Sequence, residues 1–97
     1  MTDQQRRSAI AAAVEAHNRS NPQAPLHRQT ARLLAVMFEH GDECARSLAS
    51  LVAEGFTRQA LAPMLHALTG AGLLHRHPGR GRTPDTYTLR LLVGADR

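Results

Sequence analysis

The residues of this chain that could do chemistry are mostly cations, and they gather in its second half. Arg58 and Gln59 open an amphipathic segment that carries His66. His75, Arg76 and His77 follow a Gly-Leu step, and Arg80 and Arg82 stand among glycines in PGRGRTP. Guanidinium groups match phosphates and guanine edges, Gln can bond an adenine edge, and His can meet either a phosphate or a base. On a projecting loop, Arg80 and Arg82 could clamp phosphates or enter a minor groove, or they could simply solubilise a hairpin tip. Arg76 has two readings of equal weight: contact with phosphate, or a cross-strand pair with Asp85. Arg58, Gln59 and His66 either read a nucleic acid or form a solvated helix face.

Other chemistries fare worse. Cys44 in the first turn of a helix could be an activated thiol, but it falls on an apolar stripe, where a small buried hydrophobe is expected. His66, His75 and His77 could approach one another, and a His-x-His strand turns two imidazoles to one face. Zinc needs three or four protein ligands, and neither a second cysteine nor a carboxylate pair is nearby, so no metal and no cofactor is expected. Ser47 and Ser50 have no partners in sequence that would make a triad. Phosphate loops and paired catalytic carboxylates are missing too, so the chain is not expected to be an enzyme.

Composition points the same way. The 97 residues suffice for one domain, and 42% hydrophobic content with only 3% aromatics leaves an aliphatic core of Leu, Ala, Val and Met. Net charge is +4, but placement matters more. Met1 to Phe56 holds six arginines and six acids, whereas Thr57 to Arg97 holds six arginines and two acids. Such asymmetry implies an anionic partner, most often nucleic acid. One cysteine permits no internal disulfide, no apolar run reaches a membrane-spanning length, and MTDQQRR lacks a signal core. A soluble, cytoplasmic protein is expected, with no membrane partner.

The elements that must position these residues can be read from periodicity. Thr2 and Gln5 form a capping box for a helix ending near Asn18, whose thin stripe of Ile10 and Val14 must pack on the body or on the same helix of a second subunit. SNPQAP is a linker. A second helix starts between Pro25 and Thr30 and ends at Gly41, which suits a left-handed cap. Asp42 is an N-cap for the next helix, with Glu43 in its first turn and Cys44, Leu48, Leu51 and Val52 as its buried stripe. Gly55 ends it and Phe56 plugs the core. A third core helix runs from near Thr57 to Gly70–Gly72 with Leu61, Met64, Leu65 and Leu68 inward, and Gln59, Ala62, Pro63 and His66 outward. Pro63 is comfortable only in a first turn, so the helix should start late, around Gln59 or Ala60, or kink. Leu73–His77 and Thr86–Leu92 read as a hairpin with a basic tip, and GADR as a frayed end.

With these elements placed, the chain resembles winged helix-turn-helix transcriptional regulators, loosely those of the MarR type. The resemblance covers about Pro25 to Leu92 and rests on LAPMLHALTGAGLL at Leu61–Leu74, followed by HRHPGRGR and TYTL, with Leu48-Ala49 in the preceding helix. It implies a mainly α fold with a small β-hairpin: an N-terminal helix over 1–19, a linker over 20–25 and a winged-helix domain over 26–97. It also implies a cytoplasmic, sequence-preferring regulator of transcription on double-stranded DNA. The helix carrying Arg58, Gln59 and His66 would lie in the major groove, with a basic wing running from His75 through Arg76, Arg80 and Arg82. A homodimer is expected through the N-terminal helix, with Thr30–His40 as a further candidate. The alternative is a winged helix used as a protein-interaction module or adaptor, with RNA a third candidate partner.

Overall fold

The computed structural model describes residues 2–45, 47–83 and 85–91. Helix α1 (Asp3–Ser20) begins with the expected capping box: the Thr2 hydroxyl accepts from the Gln5 amide, and the Gln5 side chain accepts from the Thr2 amide. It runs two residues past Asn18. Its inner face packs Ile10, Ala13 and Val14 against α2 (Arg28–Met37), which buries Leu33, Leu34 and Met37.

A charged residue shares that inner face. Arg6 is 6% exposed. Its Nη1 donates to Asp3 at 2.9 Å and to the carbonyls of Glu39 and Phe38 at 3.3 and 3.4 Å, while Nε donates to Asp42 at 3.3 Å. Buried guanidinium is tolerated because its donors find oxygen acceptors in several directions. The hydrogen bond from Arg6 holds the Asp3 carboxyl below the usual carboxylate range, and the same bond raises the Arg6 guanidinium.

The chain after α2 departs from expectation. The helix stops at Met37, Phe38 turns inward, and Gly41 does not take the left-handed conformation, which falls to Gly55, Gly72 and Gly81. Asp42 caps no helix. Its carboxylate is engaged by Arg6, and its carbonyl accepts the Leu89 amide at 2.9 Å. Glu43–Cys44 is strand β1, drawn into extended pairing by the hairpin and by burial of Cys44. Helix α3 is then only Leu48–Val52, capped by the Ser47 hydroxyl on the Ser50 amide. Five residues cannot bury a full stripe: Leu51 is inside, but Leu48 and Val52 are 43% and 37% exposed.

Helix α4 (Arg58–Gly70) follows N-cap Thr57 and buries Leu61, Leu65 and Leu68. Gln59, Ala62, Pro63 and His66 are exposed, as the periodicity requires. The helix does not start late. Pro63 is its sixth residue, where it denies the Gln59 carbonyl an N–H partner; burial of the leucines on either side of it outweighs that loss. The helix ends in a Schellman arrangement: the Leu73 amide reaches the Leu68 carbonyl, the Gly72 amide reaches Thr69, and Gly72 sits at φ 78°. That turn swings Leu73 and Leu74 into the core.

Strands β2 (Leu74–His77) and β3 (Thr86–Leu89) form the antiparallel hairpin, with His75 opposite Thr88 and Arg76 opposite Tyr87. The fold is thus mainly helical with a small three-stranded antiparallel sheet, ordered β1-β3-β2, rather than helices with a hairpin alone. Phe56 plugs the core as expected, and the Arg32 guanidinium stacks over its ring at 4.6 Å. The GADR segment expected to fray lies outside the described residues, as does Leu92. No described helix is long and apolar enough to cross a membrane.

Two substitutions probe this account. Arg6→Met leaves the Phe38 and Glu39 carbonyls without a donor and should lower Tm by roughly 5–10 °C, with Arg6→Lys intermediate because one ammonium cannot span four acceptors. Pro63→Ala restores an interior helix hydrogen bond and should stabilise by about 1–3 kcal/mol. Thermal and denaturant melts check both, and an unchanged midpoint in either variant contradicts its role.

Candidate nucleic-acid interface

A groove of about 600 Å³ opens between α3, α4 and the hairpin. Its floor is Leu48, Leu51, Ala62 and Leu65, and its rim is Ser47, Arg58, His66, Thr69, Arg76, Thr83, Asp85 and Tyr87. On α4, the i, i+4, i+8 spacing of Arg58, Ala62 and His66 carries that line of residues along the groove. On the hairpin, the period of two sorts the strands. Leu74, Arg76, Tyr87 and Leu89 share the inner face with Cys44 of β1, while His75, His77, Thr86, Thr88 and Glu43 share the outer one.

Three expected site residues therefore converge: Arg58, His66 and Arg76 all line the groove. Gln59 is exposed on α4 outside the lining. His75 is on the opposite face of the sheet from Arg76, its ring edge-on to His77 at 4.6 Å, and His77 Nε2 lies 2.8 Å from the Thr88 hydroxyl. The one-face His-x-His pattern is realised, but away from His66. Among the described residues no group of three or more His, Cys, Asp or Glu is arranged to hold a metal ion. Arg80 and Arg82 flank Gly81 (φ 59°) in the exposed turn closed by the Thr83 amide on the Arg80 carbonyl, and that turn leads directly to Thr83 on the rim.

Of the two readings of Arg76, the cross-strand pair is the one formed. Its Nη2 and Nε lie 2.6 and 2.8 Å from Asp85 Oδ2. Asp85 Oδ1 accepts the Gly79 amide at 2.8 Å. The Gly79 N–H, and after it Arg76, hold the Asp85 carboxyl below its ordinary value of 3.8. Desolvation, reinforced by the Asp85 charge, pushes the Tyr87 hydroxyl up, so it is a neutral donor at the groove wall. Arg58, His66, Arg80 and Arg82 have no hydrogen-bond or ion-pair partner among the described residues, so the rim's one carboxylate is neutralised while the guanidinium groups of Arg58, Arg80 and Arg82 remain available.

A further feature lies at the start of α4. Thr57 makes no side-chain capping bond, and the first interior bonds begin with the Ala60 and Leu61 amides on the Thr57 carbonyl. The Arg58 and Gln59 amides thus face outward at the positive end of a 13-residue helix. The sequence carries a signal for this: Thr57 is followed three residues later by Ala60, not by the Glu or Gln of a capping box. Tyr87 and the exposed Leu48 also belong to the groove, and neither is expected there from sequence. Tyr87 has a signal in the strand alternation. Leu48 has none, because its exposure follows from the shortness of α3. Compared with known protein families, characterised proteins and solved structures, the chain matches none.

The Asp85 network makes the hairpin acid-sensitive. A carboxyl depressed in the folded chain contributes stability that is complete above its ordinary value and disappears as pH falls through the lower folded value. Hairpin opening is therefore expected below about pH 4. It can be followed by fluorescence of Tyr87, the sole tyrosine in a chain without tryptophan. Asp85→Asn should remove that acid transition, and an identical acid profile in the variant rules the network out as its cause.

Proposed function

We propose that this chain is a small DNA-binding regulator of the winged helix-turn-helix kind. In this reading α4 enters the major groove of double-stranded DNA, and the β2–β3 hairpin serves as a wing against the backbone or the minor groove. The order helix, strand, short helix, helix, hairpin, with β1 paired beside β3, supports the architecture. The observation that carries the function is a set of arginines around one groove that have no partner among the described residues. Arg58 stands on its rim with the polar His66, beside an uncapped helix start, and Arg80 and Arg82 occupy the turn that leads to it.

The division of labour follows from side-chain chemistry. Arg80, Arg82 and the open amides of α4 suit phosphates, which set affinity and register without reading sequence. Gln59 and His66, exposed on α4, are the groups able to meet base edges. Arg76 is held by Asp85 and acts first as a brace for the wing; any phosphate it meets must share it with that carboxylate. His75 faces away from the groove, on the wing's outer side. No step of chemistry on the nucleic acid is proposed.

A second reading, a protein-interaction module, is favoured by Leu48 and Val52, two large apolar side chains exposed on α3, with Leu48 in the groove floor.

Arg80→Ala/Arg82→Ala should weaken binding to every duplex sequence. It should also flatten the dependence of log affinity on log salt by about 0.9 for each phosphate that is no longer neutralised, so by about two units for a pair of phosphates. Gln59→Ala should instead narrow the preference between duplexes with little change in salt slope. Equilibrium titrations across salt, with RNA and genomic DNA as competitors, separate the readings. Tighter RNA binding transfers the surface to RNA, and salt-insensitive or absent binding in the wild type leaves only the protein-interaction reading.

A further inference from the structure

Duplex binding leaves one part of the groove between α3, α4 and the hairpin without a role. Arginines stand around it, yet its floor is apolar. Leu48, Leu51, Ala62 and Leu65 line a cavity of about 600 Å³, and Leu48 is 43% exposed. Phosphates make no use of such a floor, and a paired base offers only its edge, because stacking covers both of its faces. Most of the polar groups that interrupt the apolar lining are neutral. Thr69 and Thr83 bring hydroxyls, and Ser47 keeps an O–H to donate after its oxygen has capped α3. The Thr69 hydroxyl donates to the Leu65 carbonyl at 2.8 Å, which leaves its oxygen as an acceptor. The half-buried Tyr87 belongs to the hairpin wall.

An apolar floor set between guanidinium groups, with neutral donors and acceptors at its margin, complements a nucleotide: a planar base with apolar faces and a polar edge, joined to phosphate on either side. From this we propose that the groove takes one unpaired base of a polynucleotide. The base lies over Leu48, Leu51, Ala62 and Leu65 with its edge at the hydroxyls of the rim. The phosphates on either side of it meet Arg58 at the start of α4 and Arg80 or Arg82 in the hairpin turn. None of these three arginines has a partner among the described residues. Asp85, the carboxylate of the lining, does not oppose an incoming phosphate, because Gly79 and Arg76 already hold it. The preferred ligand is then a duplex interrupted by a bulged or mismatched base, for which much of the cost of unstacking and unpairing is already met. An apolar peptide would suit the floor but would leave the arginines unused. The inference rests on the reading that nucleic acid occupies this face, and goes beyond it in naming the form of nucleic acid.

Fluorescence-anisotropy titration of the full chain tests it with three probes of one sequence. They are a paired duplex of about 20 base pairs, roughly two helical turns, the same duplex with one extra unpaired adenine, and that bulged duplex with an abasic residue in place of the adenine. The unpaired adenine should tighten binding about tenfold over the paired duplex, and the abasic residue should lose most of that gain. Leu48→Ser removes the exposed apolar side chain and leaves the Ser47 cap of α3 in place. It should bring the affinities for bulged and paired probes to within about twofold of each other. Helix content by circular dichroism shows that the variant folds, and the abasic probe tests the wild type independently of it. As a measurement independent of affinity, 5-iodouracil at the unpaired position should photocross-link to the peptide carrying Tyr87, and far less so within the paired duplex. Equal affinity for paired and bulged probes would overturn the proposal and leave duplex recognition standing. So would a gain kept in full by the abasic probe, since a bend and not a base would then be recognised. An unaltered preference in folded Leu48→Ser, or cross-linking no greater at the unpaired position, would overturn it as well. Tight binding of the bulged probe with none of the paired one would support the base site and count against the regulator reading. Absence of binding to every probe would end both and leave the groove to a protein partner.

Discussion

One guanidinium group fixes the junction on which this fold turns. Arg6 reaches from the first helix to the carbonyls at the end of the second and to the side chain of Asp42, the residue just before β1. With its side chain so held, Asp42 presents its carbonyl to Leu89, and the next two residues pair with Thr88 and Tyr87. The two-residue strand is small, but it stitches the hairpin to the segment that joins the helices. Without it the hairpin would hang from the end of α4 alone, and its angle to α4, which shapes the groove, would be set by a single turn.

The same economy governs the groove. An aliphatic core with seven large side chains almost completely buried, six of them leucine, closes α2, α3 and α4 together without needing any residue of the outer α4 face. Electrostatics then sorts the rim. The acid at the loop end of the hairpin is satisfied twice, by Gly79 and Arg76, so it braces the loop and cancels one cation rather than repelling an anion. The remaining arginines of the groove and its turn have no acidic partner among the described residues, and surface charges left in that state interact most readily with a polyanion brought from outside.

Much of this arrangement is legible in the residues. The Thr2/Gln5 box, the leucine stripe of α4, the Gly72 turn and the alternation of Thr86–Leu89 each follow from local rules in which short-range sterics and periodicity coincide with burial. The departures around β1 share one cause. Asp42-Glu43-Cys44 has the composition of a helix start, and Gly41 that of a helix end. A pairing with residues more than 40 positions away overrides both, and no local pattern carries information at that range. Arg6 is likewise invisible as a core residue, because its acceptors include carbonyls of a distant turn. Pro63 has the local character of a boundary, yet the apolar face on either side of it sustains the helix through the proline.

The order and type of most elements, the aliphatic character of the core and the concentration of cations in the second half belong to the sequence alone, since each depends on neighbours within a turn or a strand. Which of the polar site residues share a surface does not. Arg58, His66 and Arg76 meet because a β-strand turns successive residues to opposite faces and a Schellman turn sets that strand beside α4, and the same geometry sends His75 away. Whether Arg76 is free or paired is undecidable from spacing, because both outcomes place it on the same strand. The hairpin register, which brings Asp85 within 2.8 Å of Nε, settles it.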